Sequence, residues 1–95
     1  MQVMHGSKWL ARAALERLKR IQEVRAVVER RFERAGDEQR VPTATVALVV
    51  GAELGEPVNP FLYRDIAAAV KPLGWLRIKP HNRPQWKGVK PKEGP

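Results

Sequence analysis

The chain has 95 residues and no cysteine, with 43% hydrophobic and 29% charged residues and a net charge of +8. This length favours one domain, the composition excludes full disorder, and the lack of cysteine excludes disulfides and thiolate metal sites and is compatible with a reducing cytoplasm. No apolar run approaches the roughly 20 residues of a membrane span, and the N-terminus lacks the apolar core of a signal peptide, so we expect a cytoplasmic protein with no membrane partner.

One long helix is predicted over residues 8–35, after a flexible N-terminus at 1–7. Ser7 suits an N-cap and Gly36 suits the position after the last turn. An apolar stripe follows helical spacing and consists of Leu10, Ala14, Leu18, Ile21, Val28 and Phe32. A helix of about 28 residues extends about 42 Å, which is more than the rest of the chain can cover. We therefore expect this stripe to form a homodimer, with packing inside the chain's own domain as the alternative.

The other positions of this helix alternate in charge. Opposite charges stand four residues apart in Arg12/Glu16, Glu16/Arg20, Lys19/Glu23 and Arg25/Glu29. Each such pair stabilises a helix by about 0.2–0.5 kcal/mol. The pattern indicates a solvated face and does not suggest a nucleic-acid-binding surface.

Two shorter helices are predicted in the middle of the chain, after a polar linker. Residues 43–54 combine a capping residue, Thr43, with an apolar, alanine-rich run, although a buried strand is also compatible with so short a run. Residues 60–73 follow, with Asn59 as N-cap and Pro60 in the first helical position. Helical spacing predicts an inward face made of Leu62, Ile66, Ala69, Val70 and Leu73.

After Gly74 the apolar period changes from helical to alternating, which predicts a basic β-hairpin. We call residues 75–90 the wing; it has a turn at 80–84 and is followed by a flexible tail at 91–95. Residues 71–95 hold seven Lys and Arg residues against Glu93 alone, a net charge of +6. This charge indicates a surface for a polyanion, with a row of positive charge formed by Arg77, Lys79, Arg83 and Lys87.

Two tryptophans lie in the wing. Trp75 and Trp86 are expected to anchor the hairpin to its domain, because large aromatic side chains dominate small cores. Stacking on nucleic-acid bases is the alternative role for both.

This order of elements resembles a winged helix-turn-helix domain over residues 42–90. The words IAAAVKPLGWLRI and WKGVK are similar to the C-terminal winged-helix modules of phage and mobile-element replication proteins, the virulence-associated E family, where an L-G-W turn precedes a basic hairpin. The resemblance implies an α+β fold, mainly α with a small β-hairpin, preceded here by the long helix. It also implies double-stranded DNA as the partner, with the third helix in the major groove and the wing against the backbone or minor groove.

The resemblance implies DNA-binding residues on both elements. On the helix they are Asn59, Tyr63, Arg64 and Lys71, with Ala67 and Ala68 on the same outward face. On the wing they are Arg77, Lys79, His81, Asn82, Arg83 and Lys87. Independently of any family, basic side chains suit phosphates, which give affinity without reading sequence. The helix offers few donors to bases, so we expect modest sequence specificity, or specificity supplied through a dimer.

The sequence contains no catalytic motif, no metal-ligand spacing and no cofactor-binding loop. We therefore expect a non-enzymatic protein without a cofactor, either a transcriptional regulator or an accessory in mobile-element replication. Two alternatives stay open. One is an adaptor that docks on a larger protein partner through residues 8–35, and the other is a basic RNA-binding protein.

Overall fold

A computed structural model describes the backbone of residues 2–92 and the side chains of residues 10–92. Within them lie, in chain order, α1 (Gln2–Arg31), β1 (Phe32–Arg34), β2 (Arg40–Pro42), α2 (Thr43–Leu54), α3 (Pro60–Val70), β3 (Leu76–Ile78), β4 (Gln85–Lys87) and β5 (Val89–Pro91). Single 3₁₀ turns occupy Lys71–Leu73 and Pro80–Asn82. The predicted α+β class with a long first helix is confirmed, and the arrangement is compatible with the predicted winged helix-turn-helix.

The long helix differs from its prediction at both ends. α1 begins at Gln2, inside the stretch 1–7 predicted to be flexible, and ends at Arg31 rather than at residue 35. Phe32–Arg34 forms β1 instead and pairs with β5. The hydrogen bonds that make this segment a strand come from the far end of the chain, so the local pattern does not reveal them. Pro91 and Lys92 therefore belong to the fold and not to a flexible tail, whereas residues 93–95 lie outside the described residues.

Both shorter helices agree with their predictions, with differences at the ends. The N-cap of α2 is Pro42 and has no side-chain hydrogen bond, so Thr43 does not cap the helix but is buried as its first residue. Asn59 caps α3 as predicted, because its Oδ1 accepts a hydrogen bond of 2.9 Å from the Leu62 N–H. Regular α-helix stops at Val70, since the proline two residues later lacks an N–H and disfavours a further turn.

The wing belongs to a three-stranded antiparallel sheet with the order β2-β4-β3. The predicted return strand 85–90 is in fact two strands, because Gly88 adopts a left-handed conformation, with φ 76°, between β4 and β5. The Gly88 N–H donates to the Gln39 carbonyl at 2.8 Å, and its own carbonyl accepts from the Ala35 N–H at 2.9 Å. The chain thus leaves one sheet at this glycine and enters the pairing with β1.

The core joins the C-terminal half of α1 to α2, α3 and the sheets. Its largest fully buried side chains are Leu62, Ile66, Val24, Val28, Val46, Val50, Val70 and Val89. An aromatic row of Phe32, Trp75 and Trp86 crosses it, with edge-to-face contacts and centroids 6.0 Å apart in each pair. Trp75 and Trp86 are buried, which confirms their prediction as anchors of the wing.

The apolar stripe of α1 is divided between the core and the surface. Ile21, Val28 and Phe32 are buried in the chain's own core, so their predicted role in a dimer interface is wrong. Leu10 and Leu18 are 65% and 52% exposed, and Ala14 is also exposed. The cause is the length of α3, which has 11 residues against 30 in α1 and covers only the C-terminal half of the stripe.

Candidate nucleic-acid interface

Helix α3 buries one face in the core and exposes the opposite face to solvent. Its outward side chains include Arg64, which is exposed, and Tyr63, which is half-buried, and the exposed Lys71 follows as its C-cap. The Arg64 guanidinium lies 5.2 Å from the centroid of the Phe61 ring, an arrangement that favours a cation–π interaction. Phe61 is 64% exposed and was missed by sequence reasoning, because an aromatic residue in the first turn of a helix is usually read as core.

The carboxylate of Asp65 lies on the buried side of α3, away from the outward face. It accepts hydrogen bonds from Arg17 and, at 3.0 Å, from Arg20 of α1. Burial alone raises the pKa of Asp65, but the hydrogen bonds and positive charges of the two arginines outweigh burial, so this pKa lies below its ordinary value. Two further hydrogen bonds of 2.5 and 2.6 Å join Arg20 to Glu56 and are the main reason that the pKa of Arg20 is raised.

The tip of the wing is a tight turn with an uncommon backbone conformation. His81 and Asn82 have positive φ values of 52° and 61°, and the turn is closed by a 2.9 Å hydrogen bond from the Arg83 N–H to the Pro80 carbonyl. Asparagine and histidine tolerate positive φ better than most residues with a side chain. The side chains of His81, Asn82 and Arg83 are consequently all exposed at the tip.

A cleft of about 560 Å³ separates α3 from the wing. Five predicted DNA-binding residues line it: Tyr63, Arg64, Arg77, Asn82 and Arg83. Arg77 reaches this side because it pairs directly with Trp86, and directly paired strand residues share a face. The structure therefore brings together residues that come from three separate segments of the chain.

Lys87 is not part of this group, and the predicted row of four cations is wrong. Lys87 follows Trp86 in β4, and neighbouring residues of a strand point to opposite faces. Its direct partners are Arg40 and Leu76, so these three residues share the other face of the sheet. The row is divided because cations on two neighbouring strands share a face only when the pairing register allows it.

The remaining predicted residues lie near the cleft without lining it. Asn59 uses its side-chain oxygen as the helix cap, which leaves only its amide N–H groups for a partner. Lys71 is the C-cap of α3, Lys79 precedes the tip of the wing and His81 belongs to it, and all three side chains are exposed. Sequence reasoning missed the start of α2, since Pro42, Thr43 and Ala44 line the cleft but carry no charge that marks them.

Within residues 10–92, the acidic side chains form their ion pairs mainly with cations of α1, with two exceptions. Glu53 accepts hydrogen bonds of 2.8 Å from both Arg30 and Arg31, and Asp65 and Glu56 pair with α1 as described above. The exceptions are a 3.7 Å contact between Glu33 and Lys90 and a 3.9 Å contact between Asp65 and Arg64. Among residues 10–92, neither Arg77 nor Arg83 forms an ion pair, so their charge is available to an anionic partner.

Other kinds of site are not visible in the described part of the chain. Residues 10–92, whose side chains the structure describes, contain no cluster of three His, Asp or Glu side chains placed to hold a metal ion. No helix within residues 2–92 is both long enough and apolar enough to cross a bilayer. In comparisons of the chain with protein-family models, curated proteins and solved structures, no match was found.

Proposed function

We propose that this chain is a non-enzymatic nucleic-acid-binding protein that binds duplex DNA through α3 and the wing, in the manner of a winged helix-turn-helix domain. The observation that carries the proposal is the convergence of Tyr63, Arg64, Arg77, Asn82 and Arg83 on one cleft. Its role is transcriptional regulation or initiation of replication in a mobile element, as the resemblance implies.

The arrangement of elements supports this mode of binding. The order of a long helix, two short strands, two helices and the wing, with β2-β4-β3 in the sheet, sets the wing beside the outward face of α3. A B-DNA major groove is about 12 Å wide and admits one helix. With Tyr63 and Arg64 in the groove, Arg77 and Arg83 meet the adjacent backbone and release counterions from its phosphates.

Self-association through α1 completes the proposal. Leu10, Ala14 and Leu18 continue the same stripe that packs on α3 further along the helix, but here no described residue covers them. A second copy of the chain supplies an identical apolar stripe, as in a two-stranded coiled coil. Two domains held this way bind two half-sites, which raises the specificity that a single α3 lacks.

Salt dependence of binding tests the DNA proposal. Affinity for duplex DNA should fall linearly on a log–log plot against salt, with a slope of about −0.9 for each phosphate contacted. Competition with double-stranded RNA distinguishes the RNA-binding alternative, because A-form RNA has a deep, narrow major groove that α3 cannot enter. Absence of duplex binding at low salt would exclude the proposal and favour the adaptor alternative.

A further inference from the structure

The cleft between α3 and the wing is larger than phosphate contacts require. Its volume of about 560 Å³ falls within the roughly 300–1,000 Å³ typical of small-ligand sites. The phosphates of a DNA backbone are contacted by cations and N–H groups at an open surface, and these contacts do not require a cleft of this size. A site of this size indicates a ligand with a bulky part that enters it.

The floor of the cleft is apolar. Ile66 and Trp86, which are 2% and 6% exposed, lie at its base together with Ala67. Moving a phosphate group onto such a surface is unfavourable, because a charge loses its hydration there without gaining partners. The floor therefore suits an uncharged group with flat apolar faces.

An unpaired nucleobase has these properties. Its two faces are apolar and planar, and stacking of a base on an aromatic side chain contributes about 1–3 kcal/mol. The half-buried Tyr63 ring supplies the aromatic surface of the cleft, and Trp86, which is only 6% exposed, adds a small apolar area beside it. A base inside a duplex is covered by its neighbours on both faces, so only an unpaired one can enter.

The rim of the cleft supplies the complementary charge. Arg77 and Arg83 line it and form no ion pair within residues 10–92, and the Asn82 amide is held at the tip by its positive φ. A guanidinium binds a phosphate through two parallel hydrogen bonds. The apolar floor is thus complementary to the base of a nucleotide, and the cationic rim is complementary to its phosphate.

We infer that the cleft binds a nucleotide, with the base against Tyr63 and Trp86 and the phosphate on Arg77 and Arg83. This inference rests on the proposed nucleic-acid function of the same face and names the ligand that its cleft takes. The same chemistry comes from two sources, a free nucleoside monophosphate or an unpaired nucleotide at the end of a DNA strand.

Nuclear magnetic resonance of the full chain tests the inference, because each tryptophan has its own indole N–H signal. Thymidine 5′-monophosphate should shift the Trp86 indole signal in a saturable way, and thymidine or inorganic phosphate alone should bind at least about tenfold more weakly, since each lacks half of the contacts. A duplex with an unpaired thymidine overhang is then compared with the same duplex cut blunt.

The comparison of duplexes distinguishes the two sources. Tighter binding of the overhang duplex, with the same Trp86 shift, assigns the site to an unpaired nucleotide of a strand. Equal binding of both duplexes, with saturable binding of the monophosphate, assigns it to a free nucleotide. Either result supports the inference.

A variant that fills the cleft tests whether the monophosphate binds there. Ala67→Leu adds bulk at the floor with a good helix-forming residue and removes no charge, and it should weaken monophosphate binding about tenfold or more. Ala52→Leu adds the same bulk at an exposed position of α2 outside the cleft and should leave binding unchanged. Equal effects of the two variants would mean that the monophosphate binds elsewhere, and the inference would be wrong.

The inference and the proposed function fail in different ways. If the blunt duplex binds but neither the monophosphate nor the overhang moves the Trp86 signal, the nucleotide site is wrong and duplex binding stands. If the monophosphate binds in the cleft and no duplex binds, the nucleotide site stands and the duplex proposal is wrong. If nothing binds, both are wrong.

Discussion

Asp65 joins α3 to α1 and removes a negative charge from the helix surface that is proposed to face DNA. Its carboxylate accepts hydrogen bonds from Arg17 and Arg20, and it is only 5% exposed. The pKa of Asp65 lies below the ordinary 3.8, so its contribution to stability is present above that pH and is lost as the pH falls through the lowered pKa. Acid therefore weakens the contact between these two helices.

Replacement of Asp65 by asparagine tests this contact. Asp65→Asn keeps the size but removes the charge, and it should lower the free energy of unfolding by about 1–3 kcal/mol at pH 7. The difference from the unsubstituted chain should shrink as the pH falls from 3.8 through the lowered pKa of the folded state, because only below that lowered pKa is the carboxylate protonated in both the folded and the unfolded chain. Urea unfolding over a range of pH gives both values.

A matched control uses an exposed ion pair. Glu33 lies 3.7 Å from Lys90, and both side chains are more than 40% exposed, so Glu33→Gln should cost no more than about 0.5 kcal/mol. Equal losses in the two variants would contradict the role given to Asp65.

The two faces of the sheet provide a second prediction at the residue scale. Arg77→Ala with Arg83→Ala removes two positive charges from the cleft, whereas Arg40→Ala with Lys87→Ala removes two from the face that carries Lys87. The first pair should weaken duplex binding on all sequences alike and make the salt slope shallower by about 0.9 for each phosphate that the variant no longer binds. The second pair should have a smaller effect. Fluorescence anisotropy with labelled duplexes measures both, and equal losses of affinity would indicate binding by net charge alone.

At the scale of elements, α1 serves as the support on which α3 and the wing are fixed. Arg25 donates to the Ala69 carbonyl at 3.2 Å and Arg34 to the Leu73 carbonyl at 2.8 Å, so cations from α1 and β1 satisfy carbonyls at the end of α3. The pairing of β1 with β5 then ties the end of the wing to the end of α1. The orientation of the proposed DNA-binding face thus depends on the place where α1 stops.

Substitutions at two glycines test whether α1 ends at Arg31, as observed, or at residue 35, as predicted from the sequence. Gly88 has a φ of 76°, so Gly88→Ala should lower the free energy of unfolding by about 1–2 kcal/mol through backbone strain alone, since a new Cβ meets no atom closer than 3.8 Å. Gly36 has no such φ, and its new Cβ meets only the flexible end of the Glu38 side chain. Gly36→Ala should therefore be nearly neutral, as thermal or urea unfolding can measure. A large loss of stability would favour the predicted helix end at residue 35.

At the scale of the whole molecule, the first helix extends beyond the body that supports it. The longest dimension is 56 Å, against 31 and 22 Å for the other two. The part of α1 that precedes its buried stretch carries Leu10, Leu15 and Leu18, each more than 50% exposed. Contiguous exposed apolar side chains of this kind are typical of surfaces that bind another protein, and a second copy is the occupant we propose.

Charged substitutions on this stripe test self-association. Leu10→Glu with Leu18→Glu should convert a dimer to a monomer, because carboxylates at apolar positions of a helix pair lose hydration on burial. Leu48→Glu alters another leucine, 63% exposed on α2, and should leave the molar mass unchanged. Light scattering coupled to size exclusion measures all three chains. A monomeric unsubstituted chain would contradict the proposal.

The sequence by itself determined the features that depend on neighbouring residues. Asn59 and Pro60 start α3, and Gly74 follows its end, because capping, a missing N–H and a positive φ are properties of a few adjacent residues. The change from helical to alternating period located the wing for the same reason. The burial of Trp75 and Trp86 also followed from residue type, since large aromatic side chains contribute most to small cores.

Only the tertiary structure decided which distant groups meet. Arg20 stands four residues from Glu16, yet it pairs with Asp65 and Glu56, because one guanidinium satisfies two carboxylates there and is partly shielded from water. Strand pairing ended α1 at Arg31, and the register put Arg77 at the cleft and Lys87 on the opposite face. These outcomes depend on contacts between residues far apart along the chain, for which composition, spacing and local propensity carry no signal.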